Sequence, residues 1–101
     1  MKRIIKGKLY NTETATSIGS YQYSYPRDFH YLREELYQKN NGEFFLSGEG
    51  GPLSKYREQV DSGGWTSGEA IIPLTIEEAK EWGEAHLDVE DYIAVFGEPE
   101  E

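Results

Sequence analysis

The groups able to do acid–base or metal chemistry in this chain are few. Among 101 residues there are two histidines, His30 and His86, and no cysteine. The absent thiols exclude disulfides, thiolate metal sites and cysteine nucleophiles. Asp28 and His30 stand two apart, a spacing that offers two ligand side chains on one side of an extended segment. Nothing in the sequence brings His86 to them. Ser17, Ser20, Ser47 and Ser54 lie in no nucleophile-elbow pattern and have no evident base. The stretch Gly48-Glu49-Gly50-Gly51-Pro52 lacks the Gly-Lys-Ser/Thr ending of a phosphate loop, and Glu49 would repel a phosphate. A tight glycine turn is the expected role. No catalytic residue, metal or cofactor is assigned, and the chain is read as a binding protein rather than an enzyme.

What the sequence does concentrate is charge. Residues 76–101 hold ten acidic side chains and one basic one, Lys80, and so carry the whole net charge of −9. Residues 1–75 hold nine of each sign and sum to zero. The acidic end also has the clearest helical pattern. Thr75-x-x-Glu78 is a capping box. Ile76, Ala79, Trp82 and Ala85 form an apolar stripe, and Glu77, Glu81, Glu84 and Asp88 fall on or near the other side. Asp88-x-x-Asp91 is expected to cap a second helix with Val89, Tyr92, Ile93 and Phe96 inward and Gly97 as its stop. One reading of this end is a solvated face that keeps a small protein soluble. The other is a partner-binding surface in which Glu77, Glu78, Glu81, Glu84, Asp88 and Asp91 imitate nucleic-acid phosphates before a basic groove of another protein. A net charge of this sign argues against direct affinity for nucleic acid or anionic membrane.

A second candidate surface is aromatic. Tyr21, Tyr23, Tyr25, Phe29, Tyr31 and Tyr37 cluster in a chain with eight tyrosines. Core packing and cross-strand pairing account for some of them. Tyr21, Tyr23 and Tyr25 are taken as exposed binding anchors, since tyrosine is enriched at interface hot spots.

The rest of the chain must position these groups. Residues 3–10 read as one strand with a bulge or bend at Gly7. Residues 15–24 read as a strand kinked at Gly19, with a short helix over 12–18 as the alternative. Asn41-Gly42 is a hairpin signal that pairs residues 33–38 with 43–47. Residues 53–60 suggest a helical turn with Leu53, Tyr56 and Val60 on one side, and Trp65 sits in a loop. Residues 69–74 read as a strand whose Pro73 marks its end or a sheet edge. The expected fold is α+β. A small antiparallel sheet of about four to five strands carries the C-terminal helices on one face, in a single domain over residues 1–97 with a frayed acidic tail at 98–101. Trp82, Ile76, Ala79, Ile93 and Phe96 are expected to meet Ile4, Leu9, Phe44, Leu46 and Ile71. No signal peptide or membrane span is evident, and a soluble, cytoplasmic protein is expected.

Three segments together are distinctive: Tyr10-Asn11-Thr12-Glu13-Thr14-Ala15, Gly48-Glu49-Gly50-Gly51-Pro52-Leu53-Ser54-Lys55-Tyr56, and Ile71-Ile72-Pro73-Leu74-Thr75 leading into Glu77-Glu78-Ala79. In these the chain resembles a family of small bacterial proteins of plasmids, phages and other mobile elements, some of them proposed as anti-CRISPR inhibitors of type II effector nucleases. The resemblance implies a bacterial host cytoplasm and inhibition by binding a guide-loaded nuclease. It transfers no catalytic residue. Two other classes remain open: an accessory or regulatory partner-binding protein of a mobile element, and a small metal-dependent nuclease or hydrolase.

Overall fold

The Asn-Gly signal sits where the sheet is made. In a computed structural model describing residues 1–101, β4 (Leu32–Gln38) and β5 (Phe44–Gly50) pair antiparallel across a loop at 39–43, with Leu36 opposite Leu46. Gly42 takes φ 93°, a left-handed angle that glycine adopts without strain. β3 (Thr16–Tyr23) adds to the outer side of β4, and β8 (Gly68–Leu74) adds to β5, giving the order β3-β4-β5-β8. β8 is an edge strand, where Pro73 costs no ladder bond that the sheet needs. The remaining strands form two separate hairpins: β1 (Lys2–Ile5) with β2 (Lys8–Asn11), and the very short β6 (Glu58–Gln59) with β7 (Trp65–Thr66). Helices α1 (Ile76–His86) and α2 (Val89–Phe96) close the chain. The α+β architecture with C-terminal helices packed against the sheet is the one expected from the sequence. No helix is long and apolar enough to cross a membrane.

Residues directly opposite each other in an antiparallel pair point to the same face. One face therefore carries Leu36, Phe44, Leu46, Ile72 and Leu74, and the helices cover it with Ala79, Trp82, Leu87, Val95 and Phe96. The other face carries Phe45 and Ile71, and only the β1–β2 hairpin covers it, through Tyr10 and Ile5. Tyr10 meets Phe45 edge-on, with ring centroids 5.4 Å apart. Ile71 thus belongs to the hairpin side of the sheet and not to the helical core.

Several local expectations are corrected. Residues 3–10 are two strands, because Lys6 (φ 51°) and Gly7 (φ 80°) both take left-handed angles and reverse the chain between them. The hairpin overhangs the sheet, so Ile4 (77% exposed) and Leu9 do not reach the core. The kink in β3 is present: the register slips between Ser17 and Gly19, leaving Ile18 as the bulged residue. Residues 48–50 continue β5 instead of turning. Their glycines are there for clearance: a Cβ on Gly48 would lie 2.0 Å from the Tyr56 ring, and one on Gly50 would lie 2.2 Å from Ser54 Oγ. Residues 52–56 make successive turns without a helix, burying Tyr56 and leaving Leu53 and Val60 exposed. Trp65 lies in β7, with the Arg57 guanidinium over its ring at 4.4 Å. On α1 the buried line is Ala79, Trp82 and Gly83, while Ile76 and Ala85 face outward. Val89 is also outward.

Gly48→Ala is expected to cost about 2–3 kcal/mol, because the methyl must displace a buried ring that lies against backbone. Gly64→Ala, where only Val60 comes within 3.6 Å, is expected to leave stability unchanged or slightly raised. Urea unfolding midpoints of the two variants test the contrast.

Candidate functional site

The helical layer is held at its start by local chemistry that the sequence spells out. The Thr75 side chain accepts the Glu78 amide at 3.1 Å, and the Glu78 carboxylate accepts the Thr75 amide at 2.9 Å. Asp88 repeats the device for α2, its Oδ1 accepting the Asp91 amide at 2.9 Å. Gly97 ends α2 at φ 86°. Carboxylates near these N-termini also suit the helix dipoles.

All ten acidic side chains of residues 77–101 are exposed, and none takes part in an ion pair. Glu78 and Asp88 serve as caps, while Glu77, Glu81, Glu84 and Asp91 make no side-chain hydrogen bond. Every ion pair of the molecule lies in residues 1–75: Arg3–Glu69, Lys8–Glu43, Arg33–Glu35, Lys39–Glu43 and Lys55–Glu34. Glu43, bonded by Lys8, Asn41 and Lys39, has its carboxyl held down to about 2. The body is therefore neutral in sum and partly paired, and the helical end leaves its charge unmatched.

The tyrosines divide. Tyr21 is half-buried and stacks on His86 with centroids 3.8 Å apart, so it serves the packing of α1 on β3. Tyr23 and Tyr25 are 52% and 61% exposed. Exposed Phe29 lies near them along the chain and its carbonyl accepts the Leu53 amide at 2.9 Å. Tyr23 shares the helix face of the sheet with Tyr21, which stacks on His86 at the C-terminal end of α1.

The residues weighed for chemistry have structural partners. Asp28 accepts the Ser24 hydroxyl at 2.7 Å and the His30 amide at 2.8 Å, and these bonds hold its carboxyl below the usual range. Its carboxylate is engaged in a turn, not paired with the His30 ring. Ser54 Oγ donates to the Gly51 carbonyl and accepts the Tyr56 amide inside the loop at 52–57. No three His, Asp or Glu side chains converge as metal ligands do.

One polar cluster was not anticipated. Glu34 of β4 is 3% exposed on the helix face. Its Oε1 accepts Trp82 Nε1 at 3.0 Å, and its Oε2 accepts the Tyr56 hydroxyl and Lys55 Nζ, the latter at 2.6 Å. Burial pushes the carboxyl upward, yet the bonds from Lys55, Tyr56 and Trp82 outweigh it and the net shift is downward. Burial and the adjacent carboxylate push the Tyr56 hydroxyl far up. Burial holds the neighbouring His86 imidazole below its ordinary range. Each Glu34 oxygen is occupied and none of the larger cavities is lined by Glu34, so the cluster clamps the structure and offers no room for a substrate. A signal was present in the sequence: Leu32-x-Glu34-x-Leu36 places a carboxylate on the apolar face of a strand, where it requires buried donors.

No protein-family model, no curated protein and no solved structure matches this chain.

Glu34→Gln is expected to lower stability by about 3 kcal/mol, because it removes the charge that Lys55, Tyr56 and Trp82 are arranged around. The folded-state shift is downward, so the clamp contributes fully above the ordinary carboxylate range and is lost as pH falls through the folded value. Urea unfolding at about pH 7 and about pH 3, followed by tryptophan fluorescence, should show a smaller acid loss for Glu34→Gln than for the parent.

Proposed function

We propose that this protein is an acidic binding protein that sets its helical layer into a basic groove of a partner protein. The partner class proposed is a guide-loaded CRISPR effector nuclease, and the outcome is inhibition by occupancy. The observation that carries the reading is the contrast in charge pairing: ten exposed carboxylates without an ion pair on the helical end, against a body whose ion pairs are all internal. A surface that serves solubility alone needs no such segregation. A surface that competes with nucleic acid needs unpaired carboxylates on a rigid support, and two capped helices, α1 anchored on Glu34 and α2 packed on the core through Val95 and Phe96, offer one. Effector nucleases hold their heteroduplex and its flanking duplex in cation-rich channels, which is the complementary chemistry. The resemblance of the three sequence segments to mobile-element proteins supports the same partner class. Exposed Tyr23, on the helix face of β3, and exposed Tyr25, two residues further along the chain, would add apolar contact area.

The triple variant Glu77→Lys, Glu81→Lys, Glu84→Lys should retain the parent circular dichroism spectrum, since all three side chains are exposed and none makes an ion pair or a hydrogen bond. It should lose inhibition of target-DNA cleavage. The parent's inhibition should weaken as salt is raised. A folded triple variant that inhibits as the parent does would remove the acidic layer from the interface.

A further inference from the structure

The acidic layer is not uniformly polar. Between the C-terminal half of α1, α2 and the C-terminal tail lies a cavity of about 300 Å³, with a mostly apolar wall formed by Gly83, Leu87, Val89, Tyr92, Ile93 and Pro99 of the tail. The carboxylates of Glu84 and Asp88 also line it. Gly83 lets α2 close on α1 beneath the cavity: a Cβ there would lie 3.1 Å from the Tyr92 and Phe96 rings. Val89 is 74% exposed, an aliphatic side chain that nothing in the fold covers, set inside the most acidic stretch of the chain.

We infer that this groove is an anchor site for a protein segment that presents an aliphatic or aromatic side chain flanked by lysine or arginine. The inference rests on the reading of the helical layer as an interaction surface, and it names where that surface gains affinity beyond charge. Charge complementarity selects the occupant. An apolar side chain entering between α1 and α2 passes Glu84 and Asp88, with Glu81, Glu90 and Asp91 nearby on the same two helices and none of them paired. An acidic segment would enter against that field, a neutral one would gain nothing from it, and an anionic lipid surface would be repelled. A cationic segment with a central apolar residue satisfies the wall and the carboxylates together, in the manner of a helix laid in a groove.

The test uses the full chain, labelled for NMR, titrated with two short peptides of equal positive charge. One is an amphipathic Lys/Leu peptide and the other is Lys/Ser. The Lys/Leu peptide should bind about tenfold more tightly, and its shifts should centre on the amides of Gly83, Leu87, Tyr92 and Ile93. Val89→Glu should weaken Lys/Leu binding about tenfold although it adds a carboxylate, and should leave Lys/Ser binding equal or tighter. Equal affinity for the two peptides, or tighter binding of both by Val89→Glu, would overturn the groove while leaving the acidic layer as an electrostatic surface. Failure of both peptides to bind would overturn the groove and the acidic layer together. Concentration-dependent self-association, with shifts joining the groove to the lysine-rich β1–β2 hairpin, would assign the site to a second copy of the chain and overturn the partner segment.

Discussion

The fold depends on how a buried carboxylate is satisfied. Taking Glu34 out of water costs several kcal/mol, and that cost is offset only if every oxygen finds a donor. Two parts of the chain, far apart in sequence from each other and from Glu34, supply them: Lys55 and Tyr56 from the loop at 52–57, and Trp82 from α1. Leaving any of these out would strand a charge, so the clamp is also a specification of where loop and helix sit. No buried side-chain nitrogen or oxygen lacks a partner. Gly48 and Gly50 follow from the same requirement, since the loop reaches Glu34 only where the strand beneath it has no side chains. His86 and Tyr21 extend the contact to β3, so the helix is registered against specific partners on two strands and not simply laid on an apolar sheet.

This registration links core chemistry to the surface. Once Trp82 is fixed, Glu77, Glu81 and Glu84 are fixed on the outward side of the same helix, and the Asp88 cap places α2 beside them. Unpaired carboxylates on mobile segments would present a diffuse field. Held on two capped helices they present a patterned one, and patterning matters for recognition within a screening length of about 8 Å. The body contributes by carrying no net charge of its own: its acids and bases balance in number, and every ion pair of the molecule lies within it.

What was legible in the sequence was what is decided locally. The Thr75 capping box, the Asp88 cap, the Gly97 stop and the Asn41-Gly42 hairpin all act within a few residues, and all stand in the structure. What was not legible depended on distant partners. Gly48 and Gly50 looked like a turn because glycine is ambiguous between a turn and a strand that something approaches closely, and Tyr56 is that something. Ile4, Leu9 and Ile76 looked like core by hydropathy, but a sheet covered on one face by two short helices and on the other by one hairpin leaves them no wall. Glu34 was visible as an anomaly on an apolar strand face, and its donors were not, because nothing local joins residue 34 to residues 55, 56 and 82. For the surface, composition located the charge and the structure added that it is unpaired. The exposed tyrosines were separable only once Tyr21 was seen to stack on His86.

The proposed role of the helical layer is to act by occupying a site. The most direct measurement is target-DNA cleavage by a guide-loaded type II effector nuclease, titrated with the purified protein at fixed nuclease concentration. The expected result is loss of cleavage complete at about one equivalent, as for a tight inhibitor in stoichiometric excess. Loss at far below one equivalent would mean turnover and contradict a binding mechanism, and undiminished cleavage across several type II nucleases at excess protein would contradict the proposed partner.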